Sequence, residues 1–338
     1  MGFKRLDVED FLVSSDTVSS TLWTNGDATL TTFFTSSTQE QDRSGKYYLS
    51  VFNTGSDQNG ETQFDIAFGD ENGRGTTAYN ANVDASRTYS KTVYGQYRTL
   101  VLEDENANFY FGNVEQSNFY VLNMSRARYK EKLLPGSFNL TLSGSDLGNP
   151  ALKLTDNSKD VTVPTYYGTQ RAYQLVSGSN GNAYSGTGYT SDSGSYGLLL
   201  PDIGVVMLNA AALDLNNIEG INLSSSLDAN VSGNNPQKLF KAISGSGDFS
   251  LNSEETISSD YVFVRARNSE FNYSENPSFI SGSTGEVIYD YFINNPQVYP
   301  TSVGLYNDSN ELIAVAKLSR PLRKDFTKEA LIRVKLDF

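Results

Sequence analysis

Across 338 residues the chain contains neither cysteine nor histidine. No disulfide and no thiolate or imidazole zinc site can staple it, so the fold must be held by noncovalent packing and polar contacts, chiefly buried apolar surface and hydrogen bonds. A chain of this length can bury enough surface to manage that, and it has room for two or three domains. The same absence narrows the chemistry. The usual proton carrier near neutral pH, the commonest metal ligand and the thiol nucleophile are all missing, which leaves carboxylates, lysine, tyrosine and hydroxyls.

Tyr (21), Phe (19) and Gly (28), with abundant Thr, Ser and Asn, give strand and turn chemistry rather than the Ala, Leu and Glu runs of helices. In the last segment Ile332, Val334, Leu336 and Phe338 alternate with Arg333, Lys335 and Asp337, the pattern of a strand with one dry and one wet face. Residues 311–318 (ELIAVAKL) are apolar on both faces and predict a central strand, joined to Val303–Tyr306 through the turn Asn307–Asn310. Residues 46–53 and 62–69 form a second expected hairpin, with Phe64, Ile66 and Phe68 as its inward row. Residues 98–104 (RTLVLED) and 108–113 (NFYFGN) predict a further pair, and 118–130 a long strand.

From Gly136 to Ser259 the composition shifts to Gly, Ser and Asn, with the runs SGSDLGN, SGSNGNAYSGTGYTSDSGS and SGSGD reading as polar loops. Short helices are expected at Asn209–Leu215 and Pro236–Ile243. The expected organisation is mainly β: an antiparallel β-sandwich-like domain, discontinuous over residues 46–135 and 260–338, with a loop-rich second domain inserted at 136–259. Residues 1–45, with the Ser/Thr-rich stretch Ser14–Thr38, form an N-terminal arm ordered by its neighbours.

A net charge of −13 disfavours sequence-independent binding to nucleic acid or to an anionic membrane surface. The longest apolar stretch, Gly197–Leu213, is broken by Pro201, Asp202 and Asn209, so membrane insertion is not expected. The amino-terminal residues lack a continuous apolar core of the secretory kind, and Met1-Gly2 is followed too soon by Asp7 and Glu9 for myristoylation. Phosphate-loop and nucleophile-elbow motifs are absent. Asp104, Asn106, Asn108, Gly112 and Glu115 match several positions of a calcium loop, but Phe109 takes the place of its glycine, and a hairpin explains the segment better. No catalytic residue, metal or cofactor is expected. A carboxylate-pair glycosidase stays open, since sequence cannot place two of the many Asp and Glu side chains relative to each other.

Two segments echo each other: residues 119–128 (FYVLNMSRAR) and 261–267 (YVFVRAR) both place R-A-R on an aromatic, β-branched strand. Arg126 and Arg128, like Arg265 and Arg267, should share a strand face. They are either solvated charges that protect a sheet edge from aggregation or a guanidinium cluster that meets carboxylates of a neighbouring subunit.

Residues 261–279 (YVFVRARNSEFNYSENPSF), 295–308, 311–318 and 330–338 (ALIRVKLDF), together with 119–144 and its core RARYKEKLLPGSFNLTLSG, resemble virion proteins of contractile-tailed bacteriophages. Among those they are most similar to the baseplate wedge subunit that forms a dimer in each wedge. The resemblance implies a structural role in the virion tail, with another copy of the chain and other wedge, tube or fibre proteins as partners. Two alternatives belong to other classes: a virion-associated carbohydrate-binding or depolymerase module, marked by a cleft with exposed aromatics and paired carboxylates, and a head or neck decoration protein.

Overall fold

The computed structural model describes residues 3–35, 46–55, 60–79, 87–144, 151–184, 190–216, 219–229, 231 and 233–337. Along the chain the strands are β1 (Phe11–Thr21), β2 (Thr29–Leu30), β3 (Phe34–Thr35), β4 (Leu49–Phe52), β5 (Thr62–Asp70), β6 (Phe109–Phe111), β7 (Val114–Gln116), β8 (Asn118–Met124) and β9 (Lys132–Leu133). They continue with β10 (Asn139–Leu142), β11 (Leu152–Asp156), β12 (Thr165–Tyr167), β13 (Gln170–Ser179), β14 (Asn182–Ala183), β15 (Gly197–Leu200), β16 (Val205–Asn209) and β17 (Phe249–Ser250). The last four are β18 (Asn252–Ala266), β19 (Ser302–Tyr306), β20 (Leu312–Lys317) and β21 (Ala330–Asp337). The helices are α1 (Tyr89–Tyr97), α2 (Ala210–Asp214), α3 (Asn235–Ser246) and α4 (Asp290–Asn294). The protein is mainly β, as expected. Two compact units divide it: a central unit, Val18–Glu255, and a terminal unit that combines Met1–Thr17 with Thr256–Phe338.

The central unit is built on a curled antiparallel sheet in the order β2-β17-β10-β11-β13-β15-β16-β8-β5-β4-β3. Its middle strands carry apolar residues on both faces because both faces are covered. Along β8, Tyr120, Leu122 and Met124 join Phe64, Ile66, Phe68, Val206 and Leu208 on one face, while Phe119 and Val121 join Ala67, Val205 and Met207 on the other. The first face is closed by Trp23, α2 and the Leu239, Ala242 and Ile243 stripe of α3, and the second by Val93, Tyr94 and Tyr97 of α1 with Phe109 and Phe111 of β6. Each large side chain so buried contributes about 1.5–3 kcal/mol. Pro236 opens α3, and Gly247, at φ 63°, closes it by donating its amide to Ile243.

The residues 197–213 that read as one interrupted apolar run fold back on themselves. β15 and β16 pair through the turn Pro201–Gly204, and Asn209 ends β16 by capping α2. Fully buried, Asn209 accepts from the Ala212 amide and donates to the carbonyls of Ser193 and Ser195 at 2.8 and 2.9 Å, so its polar atoms are matched. Gly204 turns at φ 69°, and a Cβ there would strike the Tyr129 ring. Asp70 anchors the turn after β5 by accepting the Asn72 and Arg74 amides and pairing with the Arg74 guanidinium at 3.0 Å.

The compact units divide the chain differently from the expected arm, split β domain and insertion. Residues 136–255 supply β10 to β17, which share one sheet with β4, β5 and β8; β16, apolar on both faces, needs β8 as its hydrogen-bonded neighbour. The amino-terminal region is no arm either, since Leu22, Trp23 and Leu30 are buried in the central core. Residues 98–102 continue α1 as a π-helical turn that buries Val101 beside Tyr97, in place of the expected strand. β6 pairs with β7 instead. Both expected helices are present, as are the β4–β5 hairpin and the inward row Phe64, Ile66 and Phe68. The SGSGD run closes α3, and residues 145–150 and 185–189 of the other Gly/Ser runs lie outside the described residues.

Candidate interaction surface

In the terminal unit β18 pairs antiparallel with β21 from Ser259 opposite Asp337 to Ala266 opposite Ala330. Alternation buries Val262, Ala266, Ala330 and Val334 on one face. The other face carries Tyr261, Phe263 and Arg265 opposite Lys335, Arg333 and Leu331. The Arg333 guanidinium lies over the Tyr261 ring at 5.4 Å and the Lys335 ammonium at 5.9 Å from the same centroid. Asp337 accepts from the Ser259 hydroxyl at 2.6 Å and pairs with Lys335 at 2.9 Å. Those contacts hold the Asp337 carboxyl below its ordinary pKa and keep Lys335 above its own. Among the described residues Arg265 and Arg333 have no carboxylate within 4 Å. An acidic protein thus presents on one sheet face two guanidinium groups without a carboxylate partner, that of Arg333 over the Tyr261 ring.

The four arginines singled out by sequence part company. Arg126 and Arg128 lie on a 3-10 turn after β8 and not on a strand, because β8 ends at Met124. Arg126 folds onto its own turn, donating to the carbonyls of Tyr129 and Lys130 with its guanidinium 4.6 Å from the Tyr129 ring. Arg128 is paired within the central unit to Glu61 at 2.8 Å. Both guanidinium groups are engaged by groups of their own chain. Arg265 stands exposed on β18, and Arg267, just past the strand's last residue, is exposed with its amide donating to Glu270. Arg333 and Lys335 complete the cationic face; their alternation was visible in sequence, but only the β18–β21 register sets them beside Arg265.

The terminal unit is also short of core. Its buried hydrophobic side chains among the described residues are Val262, Ala266, Phe292, Ala330 and Val334, and both large apolar clusters belong to the central unit. A polar knot takes the place of a core: Lys324, 1 % exposed, donates to Asn272 Oδ1 at 2.8 Å and to the Asn268 carbonyl at 3.3 Å. Burial lowers the pKa of that ammonium. The expected central strand at 311–318 is instead β20 of a two-stranded hairpin with β19, and Ile313 (68 %) and Val315 (62 %) are exposed. The turn Asn307–Asn310 holds as expected, with Asn307 accepting the Ser309 and Glu311 amides. Phe3 packs edge-on against Tyr306 at 5.1 Å.

A second feature of the terminal unit is a cleft of about 650 Å³ around α4. Its aromatic walls are Phe279, Tyr291, Phe292 and Tyr299, and its remaining lining is the amide side chains of Asn294, Asn295 and Gln297. No paired carboxylates are among these lining residues. The calcium-like register of residues 104–115 is consumed by a hairpin: Asp104 accepts the Asn106 amide, Glu115 takes Asn108 and Tyr110, and Phe109 is buried in β6. Among the described residues no group of three or more acidic side chains is placed to hold a metal ion. Set against protein-family models, curated proteins and solved structures, the chain matches none.

Proposed function

We propose that this chain is a structural subunit of a contractile phage tail, placed in the baseplate wedge, where its terminal unit binds neighbouring subunits. The observation that carries this reading is the terminal unit itself. Among the described residues it has five buried hydrophobic side chains, yet exposes Phe11, Leu12, Val13, Tyr306, Leu312, Ile313 and Val315 as well as the cationic face around Arg265 and Arg333. Runs of exposed apolar residues such as 11–13 and 312–313, in a unit with so small a core, suit a surface completed by a partner. Most of the segments that resemble phage baseplate proteins, 261–279, 295–308, 311–318 and 330–338, lie in this unit. The subunit works by holding neighbours together until host contact and then letting them rearrange, with no catalysis and no cofactor. Its partners are a second copy of itself and other wedge, tube or fibre proteins with acidic and apolar patches. Locating the subunit in intact particles by cryo-electron microscopy tests the reading. Density at the tail tip is expected, and density at the head or neck overturns it.

A further inference from the structure

We infer that the cleft around α4 is a binding site for a neutral saccharide, a function beyond the assembly role proposed above. The site is made within residues 279–299. Ile288 donates its amide to the Phe279 carbonyl at 2.9 Å, and Asn295 closes α4 onto Tyr291. Phe279 is wedged between Tyr289 and Phe292 at centroid distances of 5.8 and 5.6 Å, which fixes the floor. Beyond the floor, Tyr291 (62 %) and Tyr299 (55 %) stand exposed as walls, and Asn294, Asn295 and Gln297 complete the lining. At about 650 Å³ the cleft falls within the roughly 300–1,000 Å³ common to small-molecule sites.

The lining selects the ligand class. It contains no charged side chain, so a phosphate, a carboxylate or an ammonium ligand would enter without a counter-charge. A purely apolar ligand would strip water from three amides and return no hydrogen bond. Carboxamides both donate and accept, as sugar hydroxyls do, and the phenol and phenyl faces of the walls suit the C–H face of a pyranose ring. A neutral saccharide is the ligand that satisfies both halves of this lining at once. With no carboxylate pair in the lining, the site binds and does not cleave.

The test uses the full chain and saturation-transfer NMR with N,N′,N″-triacetylchitotriose, maltotriose and a mannose trisaccharide, each at millimolar concentration. Transfer to ring C–H protons of at least one is expected, with affinity about three- to tenfold weaker in Tyr291→Ala and Tyr299→Ala. Tyr291→Phe should retain binding. Asn294→Ala, at an exposed residue of the lining, should weaken it even if an aromatic replacement disturbs the fold. No transfer from any of the three, binding indifferent to these variants, tighter binding of sialyllactose than of neutral sugars, or binding of a proline-rich peptide in their place would each overturn the inference. Saccharide binding and placement in the particle are read separately, so either can fail while the other stands.

Discussion

Asp65 sits on β5 directly opposite Asn123 of β8, in the middle of the central sheet. Burial raises its pKa above the ordinary carboxylate value, and a hydrogen bond with Ser50 offsets only part of that. Between the ordinary and the raised value the folded chain binds more protons than the unfolded one, so the contribution of Asp65 to stability falls as pH rises through that window. Asp65→Asn should therefore raise the melting temperature near neutral pH and lose that advantage on mild acidification, a comparison made by calorimetry at both conditions. Arg265 and Arg333 carry the opposite kind of cost, since they are exposed and without a carboxylate partner in the isolated chain. Changing both to Glu should shift stability by less than about 0.5 kcal/mol yet weaken complex formation tenfold or more. Equal complex formation by wild type and variant in a pull-down would remove the cationic face from the interface. By contrast, Arg128→Ala should destabilise the central unit through the loss of its contact with Glu61 and leave partner binding unchanged.

At the scale of elements, the β19–β20 hairpin is the piece least explained by the chain on its own. A two-stranded sheet is marginal in water, and Ile313, Val315 and Leu312 spend their apolar surface on solvent. Val315→Lys with Ile313→Lys should leave the melting temperature nearly unchanged, improve solubility and abolish assembly, as tracked by sedimentation. A fall of several degrees instead would mean that the hairpin is part of a monomer core. The hairpin also shows what sequence can and cannot disclose. Residues 311–318 read as a strand with apolar residues on both faces, and that is what they are; whether such a strand is covered by its own chain or by another cannot be told from alternation. Alternation did locate β5 and β21, with the inward row of the first and the dry and wet faces of the last, while runs of aromatic and β-branched residues located β4 and the start of β8. It failed at residues 98–102, where a short apolar run has no distinguishable period and the preceding helix decides. It failed again at Arg126 and Arg128, because β8 stops where its neighbours β5 and β16 stop pairing with it, and those neighbours are distant in sequence. The α4 cleft left no local signal, since its walls are drawn from residues 279–299 through backbone turns that no spacing encodes.

On the scale of the whole molecule, core and exposed surface are apportioned unequally between the two units. The central unit owns both apolar clusters, so a fragment spanning Val18–Glu255 should fold alone and melt cooperatively, while residues 256–338 expressed alone should give no cooperative transition. Loss of cooperative melting in the central fragment would show that its stability depends on the chain ends. The shift in composition at 136–259 ends within a few residues of the unit boundary at Glu255/Thr256, but its start at Gly136 is no boundary, because residues 136–255 supply many short strands to a sheet begun earlier. The terminal unit, drawn from both ends of the chain, bears on how the protein is made. On the ribosome, residues 1–17 are made before the central unit and wait while all of it is synthesised, which at roughly 5–20 residues per second is a delay of about 10–50 s. The β18–β21 face therefore comes into being only on a chain whose central unit has already been made. On the assembly role proposed above, the order of translation delays association until the central unit exists.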